Sequence, residues 1–479
     1  MTTDPPTPAT PSPAGASGTS NAAWRVEKDS MGEVRVPAQA LWAAQTQRAV
    51  ENFHFGGITM PAAFVDALLH IKAAAALANE KLGLLEPSLA RAIADSADAL
   101  LADAQRMAHF PVEVFQTGSG TSSNMNANEV LATLAARRLG RAVSANDHVN
   151  FGQSSNDTIP SAIHVAAALQ LERELLPALA HLARVLENRA PELQRHVKTG
   201  RTHLMDAMPV RFDQVLGGWR AQVQQALSAL VLLQPAVATL AQGGTAVGTG
   251  VNTHPEFAST LCALLQQRTG VHFQAAAERF SLMGAQDTAV QLSGQLKATA
   301  VALMKIANDL RWMNSGPLAG LAEIELPALQ PGSSIMPGKV NPVIPEAVAM
   351  VGAQVIGNDA AITIAGQSGN FELNVMLPLV ARNLLESLQL LAAAARALAD
   401  RAIAGFAVNE ASLRAALARN PVLVTALNPL VGYLKAAEIA KAAYKQGRPI
   451  IDVADEMTDL GRDRLQDLLD PARLTEGGL

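Results

Sequence analysis

Between about Gly284 and Met313, Leu292, Leu296, Leu303, Ile306, Leu310 and Met313 follow the three- and four-residue spacing of one helix face. The faces between them carry Ala, Val and Met instead of a charged stripe. A helix of this kind must be covered on several sides. Leu175, Leu179, Leu182 and Leu186 mark a second helix face, which Pro177 is expected to kink. Helical periodicity dominates from about Pro61 onward, whereas period-2 patterns are short and scattered. The expected fold is all-α, with long helices in a bundle. Composition agrees: 49% of the 479 residues are hydrophobic but only 4% aromatic and 16% charged. Alanine and leucine, both strong helix formers, supply most of the apolar surface.

The net charge of −5 and the lack of a long basic run argue against a nucleic-acid or anionic-membrane partner. An anionic substrate would have to be held by local groups. A single cysteine, Cys262, cannot build an internal disulfide, a cysteine zinc site or an iron–sulphur cluster. Acid–base chemistry by side chains, with no metal or cofactor, is the expectation that remains, and a reducing cytoplasm is the expected setting. Residues 1–22 are rich in Pro, Thr, Ser, Ala and Gly and read as a disordered tail without a targeting pattern. No uninterrupted apolar run of membrane-spanning length follows, so no membrane span is expected.

Four polar, glycine-rich stretches interrupt the helical background: Thr117–Asn124, Gly152–Thr158, Gly200–His203 and Pro331–Pro342. The first two place small hydroxyl and amide side chains directly before a helix, where free N–H groups make an uncharged anion site. Ordinary N-capping uses the same residue types. One cap needs only one residue, however, and both runs are longer than that. His203 follows a Gly-Arg-Thr turn and precedes Pro209, which suggests a loop; it is either a satisfied structural histidine or a reactive group. In the fourth stretch Gly332 and Gly338 allow close backbone approach, Pro337 and Pro342 restrict it, and Lys339 and Asn341 supply a cation and an amide. Glu346, after Pro345, suits the first turn of a helix, where a carboxylate serves either the dipole or a site. Nucleotide motifs fail: Gly338-Lys339 is followed by Val340, not Ser or Thr, and the glycines from Gly244 to Gly250 lack a strand context.

The segment GSSIMPGKVNP, Gly332–Pro342, resembles the signature of the fumarase/aspartase superfamily. The resemblance continues through TGSGTSSNMNANEV from Thr117, QSSNDT from Gln153, GRTHLMDAMP from Gly200, GGTAVGTGVNTHPEF from Gly243 and VTALNPLVGYLKAAEIAK from Val424. It covers essentially everything after residue 22 and is nearest to class II fumarases. It implies three helical domains (23–151, 152–408 and 409–479), the central one a long-helix bundle. It also implies a homotetramer whose active sites each draw on three subunits, with fumarate and L-malate as substrates. By the same resemblance Ser333 is the base on a mobile loop. His203 handles the water, and Glu346 partners that histidine. Ser119, Gly120, Thr121, Ser154, Ser155, Asn156, Thr202, Ser334, Lys339, Val340 and Asn341 surround the substrate. Proton removal beside a carboxylate builds an aci-carboxylate, which fixed N–H, hydroxyl, amide and ammonium donors would stabilise.

Two alternatives share this scaffold: an aspartate ammonia-lyase and a non-catalytic protein like the lens crystallins. Thr117-Gly118-Ser119-Gly120-Thr121-Ser122 and His203 differ from the ammonia-lyase pattern, although Asn341–Glu346 looks like it. Intact Ser333, His203, Lys339 and Glu346 argue against an inert scaffold. One departure stands out. Fumarases usually carry His-Pro-Asn-Asp at a second, peripheral anion site; here Ser144, Ala145, Asn146 and Asp147 occupy it, with His148 one position late. That site is therefore expected to be weakened.

Overall fold

The computed structural model describes residues 23–477; the expected disordered tail lies outside the described residues. A hairpin of β1 (Trp24–Asp29) and β2 (Gly32–Pro37) leads into α1 (Ala44–Asn52), α2 (Ala62–Lys81), α3 (Pro87–Ala102) and α4 (Thr121–Leu139). Next come α5 (Ser155–Gln170), a π turn at Leu171–Leu175, and α6 (Leu176–Leu193). A second hairpin, β3 (Val197–Thr202) and β4 (Met205–Arg211), turns the chain into α7 (Phe212–Val237). α8 (Phe257–Thr269) and the short α9 (Phe280–Gly284) precede α10 (Asp287–Met313), α11 (Val343–Gln367) and α12 (Leu377–Leu398). The C-terminal part holds α13 (Glu410–Arg419), α14 (Asn428–Val431), α15 (Tyr433–Gln446), α16 (Ile450–Met457) and α17 (Arg462–Leu468). The all-α expectation holds, since the strands form only two-stranded sheets.

One hydrophobic core runs from Leu41 to Leu413, and a second, smaller one joins Leu423, Ile439, Val453 and Leu465. Alanine sets the packing distance in the first. On α2, Ala67, Ala73, Ala74, Ala75 and Ala78 are fully buried, so neighbours close in from several directions. α10 and α11 run antiparallel: Asp359 meets Ser293 and Lys297, Gly366 lies against Val290 and Gly352 against Met304. A Cβ at Gly352 would come within 2.2 Å of the Met304 side chain, so the glycine permits this approach.

Pro177 does not break its helix. The flanking residues Gln170, Leu171, Leu175 and Leu176 all keep right-handed helical dihedrals, and the disturbance appears as the π turn just before the proline. Pro177 has no N–H to donate, and the wider turn absorbs the mismatch. α5, the π turn and α6 therefore form one rod of 16, 5 and 18 residues. At about 1.5 Å per residue it is about 58 Å long.

Two helices, Ala62–Lys81 and Val343–Gln367, are long and apolar enough to cross a membrane by length and composition. That departs from the expectation of no such stretch, which counted only uninterrupted runs. In α2 72% of the apolar window is buried inside the protein, but in α11 only 33% is. Length and composition do not separate a membrane span from a helix that packs against protein.

Burial pushes the His70 imidazole on α2 down to about 4 and lowers that of His164 on α5 as well. Both rings are neutral in the native state near neutral pH, whereas an unfolded histidine binds its proton near pH 6.5. Between about 6.5 and 4 the unfolded chain binds more protons, so stability falls as pH falls through that window. Urea midpoints measured at pH 7, 6 and 5 should decrease in that order. They should decrease less steeply in His70→Gln; an identical slope would show that His70 does not carry the effect.

Candidate active site

Within the first polar stretch Gly120, with a φ of 73°, starts α4 from a left-handed conformation. A Cβ there would also lie 2.9 Å from Ile159 of α5, so glycine is required twice over. Gly120 at the N-cap of α4 supplies no side chain, and Gln116 Oε1 accepts the Ser123 N–H of the first turn at 3.0 Å. The N–H groups of Thr121 and Ser122 have no acceptor within the helix, and beside them the Ser119 and Thr121 hydroxyls are 2.8 Å apart. From the sequence an uncharged anion site is expected at this helix start. The second stretch includes an ordinary cap. Ser154 caps α5 in a capping box with Asp157, while Ser155 and Asn156 remain beyond the cap. The Ser155 hydroxyl accepts from Asn124 Nδ2 at 3.0 Å, and Asn156 Nδ2 donates to the Ala246 carbonyl at 2.8 Å.

Asp157 is fully buried and locks these pieces together. One carboxylate oxygen accepts from the Ser154 N–H, and the other accepts from the N–H groups of Gly243 and Thr245, each at 2.9 Å. Desolvation pushes its carboxyl up to about 6 despite those donors. The loop after α7 is thereby tied to the start of α5.

Thr202 and His203 sit at the tip of the β3–β4 hairpin, both exposed. The sequence suggested a loop; the structure gives a two-residue turn in which His203 and Leu204 take φ values of 56° and 62°. Such values suit a hairpin turn but strain a non-glycine residue. The hairpin is bulged at Gly200, where a Cβ would lie 2.4 Å from the Met208 carbonyl. Its root is held by charge. Glu323, 2% exposed, pairs with Arg201 at 2.7 Å and Lys198 at 3.2 Å, and its own N–H bonds the Met313 carbonyl at the end of α10.

The fourth stretch is a loop pinned at its neck. Gly332 N–H donates to the Lys339 carbonyl at 2.8 Å, and Asn341 Nδ2 donates to the Gly332 carbonyl at 2.7 Å. Beyond the neck the Ser333 hydroxyl oxygen accepts the N–H groups of Met336 at 3.0 Å and Ile335 at 3.2 Å. Ser334, Lys339 and Val340 are exposed. α11 starts at Val343, two residues earlier than Pro345 suggests, and Glu346 lies in its first turn.

These groups do not converge within one chain. Ser119, Thr121 and Ser154–Asn156 lie at the end of the bundle where α5, α10 and α12 begin, as the bonds of Asp157 to Gly243, of Asn374 to Met283 and of Leu377 to Gly118 show. Thr202 and His203 follow the far end of this rod, in the hairpin after α6. Ser333–Glu346 precede and open α11, which by its antiparallel register starts beside the end of α10. Among the described residues no hydrogen bond or ion pair joins His203 to Glu346.

At Ser144–Asp147 the Ser144 hydroxyl caps a π turn, accepting the Asp147 N–H at 3.0 Å and donating to its carboxylate at 2.8 Å. His148 is folded back, its Nδ1 accepting the Ser144 N–H at 3.0 Å. Among the described residues no cluster of three or more His, Cys, Asp or Glu side chains could hold a metal ion, and Cys262 is buried with its thiol pushed up to about 12.

A family model described as Lyase matches residues 32–357, and one described as Fumarase C C-terminus matches residues 423–476. The chain is 67% identical to fumarate hydratase class II 2 of Pseudomonas aeruginosa, over 95% of this chain and 99% of the relative. The chain belongs to the class II fumarate hydratases. It is also 58% identical to the class II enzyme of Xylella fastidiosa, over 95% of this chain and 96% of that one. The crystal structure of class II fumarase from Schistosoma mansoni superposes with a TM-score of 0.91 at 37% identity, covering 95% of this chain and 99% of that one.

In this class II fumarate hydratase the sequence did not reveal Glu323 as the anchor of the histidine hairpin, because no motif surrounds it. Lys72 went unnoticed too, although a lysine within the run Ile71–Leu77, otherwise Ile, Ala and Leu, is a detectable signal. Glu323→Ala should strand the buried Lys198 and the half-buried Arg201 and destabilise the protein by about 3–5 kcal/mol. The denaturant midpoint checks this; a shift worth less than about 1 kcal/mol would mean that the pairs are dispensable.

Proposed function

We propose that this chain reversibly hydrates fumarate to L-malate, at sites completed by several copies of itself. Family membership supports the reaction. The observation that carries the chemistry is the Ser333 hydroxyl, whose oxygen already accepts two backbone N–H groups. An oxygen so placed is stabilised as an alkoxide, which a serine needs to act as a base. In this reading Ser333 removes the C3 proton of malate, and the charge gathers on the neighbouring carboxylate as an aci-carboxylate. Ser119, Thr121, Ser154, Ser155 and Asn156 from one end of a protomer, and Lys339 and Asn341 from the other end of another, bind the carboxylates. Gly120, Thr202, Ser334 and Val340 complete the wall. His203, partnered by Glu346 of a different copy, delivers or accepts the water proton. Neither metal nor cofactor enters the scheme, which runs on hydroxyl, imidazole and carboxylate groups.

Assembly is part of the proposal because the required groups lie at opposite ends of a long bundle. Apolar side chains exposed along its helices support it: Leu232 on α7, Val301 on α10, and Met350 and Ile364 on α11. Covering such faces is what a multi-helix association between copies does. A homotetramer, a three-domain division at 151/152 and 408/409, and a cytoplasmic setting complete the reading. The peripheral anion site is proposed to be weak, since Ser144 is occupied by Asp147 and no imidazole stands in its place.

Adding fumarate to the purified protein should produce malate, and adding ammonium should not produce aspartate. Ser333→Ala should lower kcat by about 10²- to 10⁴-fold with the fold and assembly retained. Near-parental turnover in that variant would remove Ser333 as the base, and aspartate formation would favour the ammonia-lyase. Activity should also persist after treatment with a chelator. Loss of activity restored by added metal would overturn the metal-free scheme.

A further inference from the structure

α2 is apolar on nearly every side, yet it buries a lysine completely: Lys72 is 0% exposed. Its ammonium donates to Asn150 Oδ1 at 2.9 Å and Gln153 Oε1 at 3.0 Å. Two turns along the same face Asn79, 1% exposed, donates to the Phe151 carbonyl at 3.1 Å. Both buried polar groups of this face therefore grip one segment, residues 150–153, which runs directly into Ser154, Ser155 and Asn156. The grip spreads further. Asn150 Oδ1 also accepts from Asn128 at 3.1 Å and from Asn124 at 3.2 Å, and Asn124 reaches on to the Ser155 hydroxyl at 3.0 Å. On the opposite side Asp157 ties Ser154 to Gly243 and Thr245.

A buried cation is costly unless an anion or strong acceptors compensate it. Those bonded to Lys72 are neutral amide oxygens. Asp157 acts on it through space, and no ion pair joins the two among the described residues. Desolvation accordingly pushes the ammonium down to about 7. A clamp with only a mechanical task would be met more cheaply by a neutral amide. A positive charge directly behind a segment that meets a dianion serves the ligand as well.

We infer that Lys72 is a positioning residue for substrate binding: through Asn150 and Gln153 it fixes the turn that presents Ser154, Ser155 and Asn156 to a substrate carboxylate. It touches no reacting atom, so its effect falls on affinity more than on turnover. The inference rests on the proposed fumarate hydration.

The test is steady-state kinetics of Lys72→Met and Lys72→Gln, together with hydrogen exchange of the amides in 150–156. In assembled Lys72→Met, KM for fumarate should rise about tenfold or more while kcat falls at most about threefold. Lys72→Gln, which keeps a donor, should recover part of the affinity, and exchange in 150–156 should quicken in Lys72→Met. A folded Lys72→Met with parental KM, or one that loses kcat at unchanged KM, overturns the inference. If Lys72→Met does not fold, Gln153→Leu removes one acceptor of Lys72, together with the Gln153 bonds to the Val149 and Phe151 carbonyls, and leaves the buried helix intact. A rise in its KM supports the inference, and a parental KM overturns it. A parent protein that does not hydrate fumarate would instead refute the proposed function, and the exchange comparison would still read whether Lys72 holds the segment.

Discussion

The continuous helix from Ser155 to Leu193 sets the terms for everything else in this protein. Its hydrogen-bonded ladder is rigid, and it passes Pro177 by way of a π turn instead of breaking. A rod of about 58 Å holds the serine-rich segment at one end and the histidine hairpin at the other. No rotation of side chains closes such a gap. Because the family resemblance assigns both ends to one site, the proposed assembly of copies follows from helix length, and the apolar faces left open on α7, α10 and α11 belong to the same logic.

At each end the polar segments are mounted on the helices by buried charge. Asp157 gathers three backbone N–H groups and joins the start of α5 to the loop beyond α7. Lys72 grips the turn just before it. Glu323 ties the hairpin to the end of α10 through Arg201 and Lys198. Each is a desolvated group whose removal leaves partners unpaired, which makes these anchors rigid as well as costly. The Ser333 loop is built otherwise, pinned only at its neck by backbone and amide bonds, with its tip exposed. A rigid set of donors and one looser loop carrying the proposed base suit a site that must admit substrate and then act on it.

Much of this was legible in the residues. The leucine spacing gave α10 and α6 correctly, because a buried stripe has to repeat with the helix period. The polar runs at Thr117 and Gly152 led to real helix starts, and Ser154 turned out to be both cap and boundary of the proposed site. The β3–β4 hairpin was not legible as such: its strands are bulged at Gly200, so period-2 alternation is broken, and the turn uses His203 and Leu204 in place of Asn-Gly. Nor did the sequence show Glu323 or Lys72 as anchors, since their partners lie 122 and 78 or more positions away. Pairings of that range belong to the fold.

Mixing two inactive variants tests the central claim, that opposite ends of different copies complete one site. Thr121→Asp places a carboxylate at the first position of α4, where the helix dipole favours it but a dianionic substrate does not. His203→Asn removes the imidazole while keeping a residue that tolerates a left-handed turn. Each variant alone should be nearly inactive. After subunit exchange, sites that draw an intact α4 from one copy and an intact hairpin from another should restore about a quarter of the parental activity. Mixed assemblies, verified by mass, that remain as inactive as either variant alone would contradict the account.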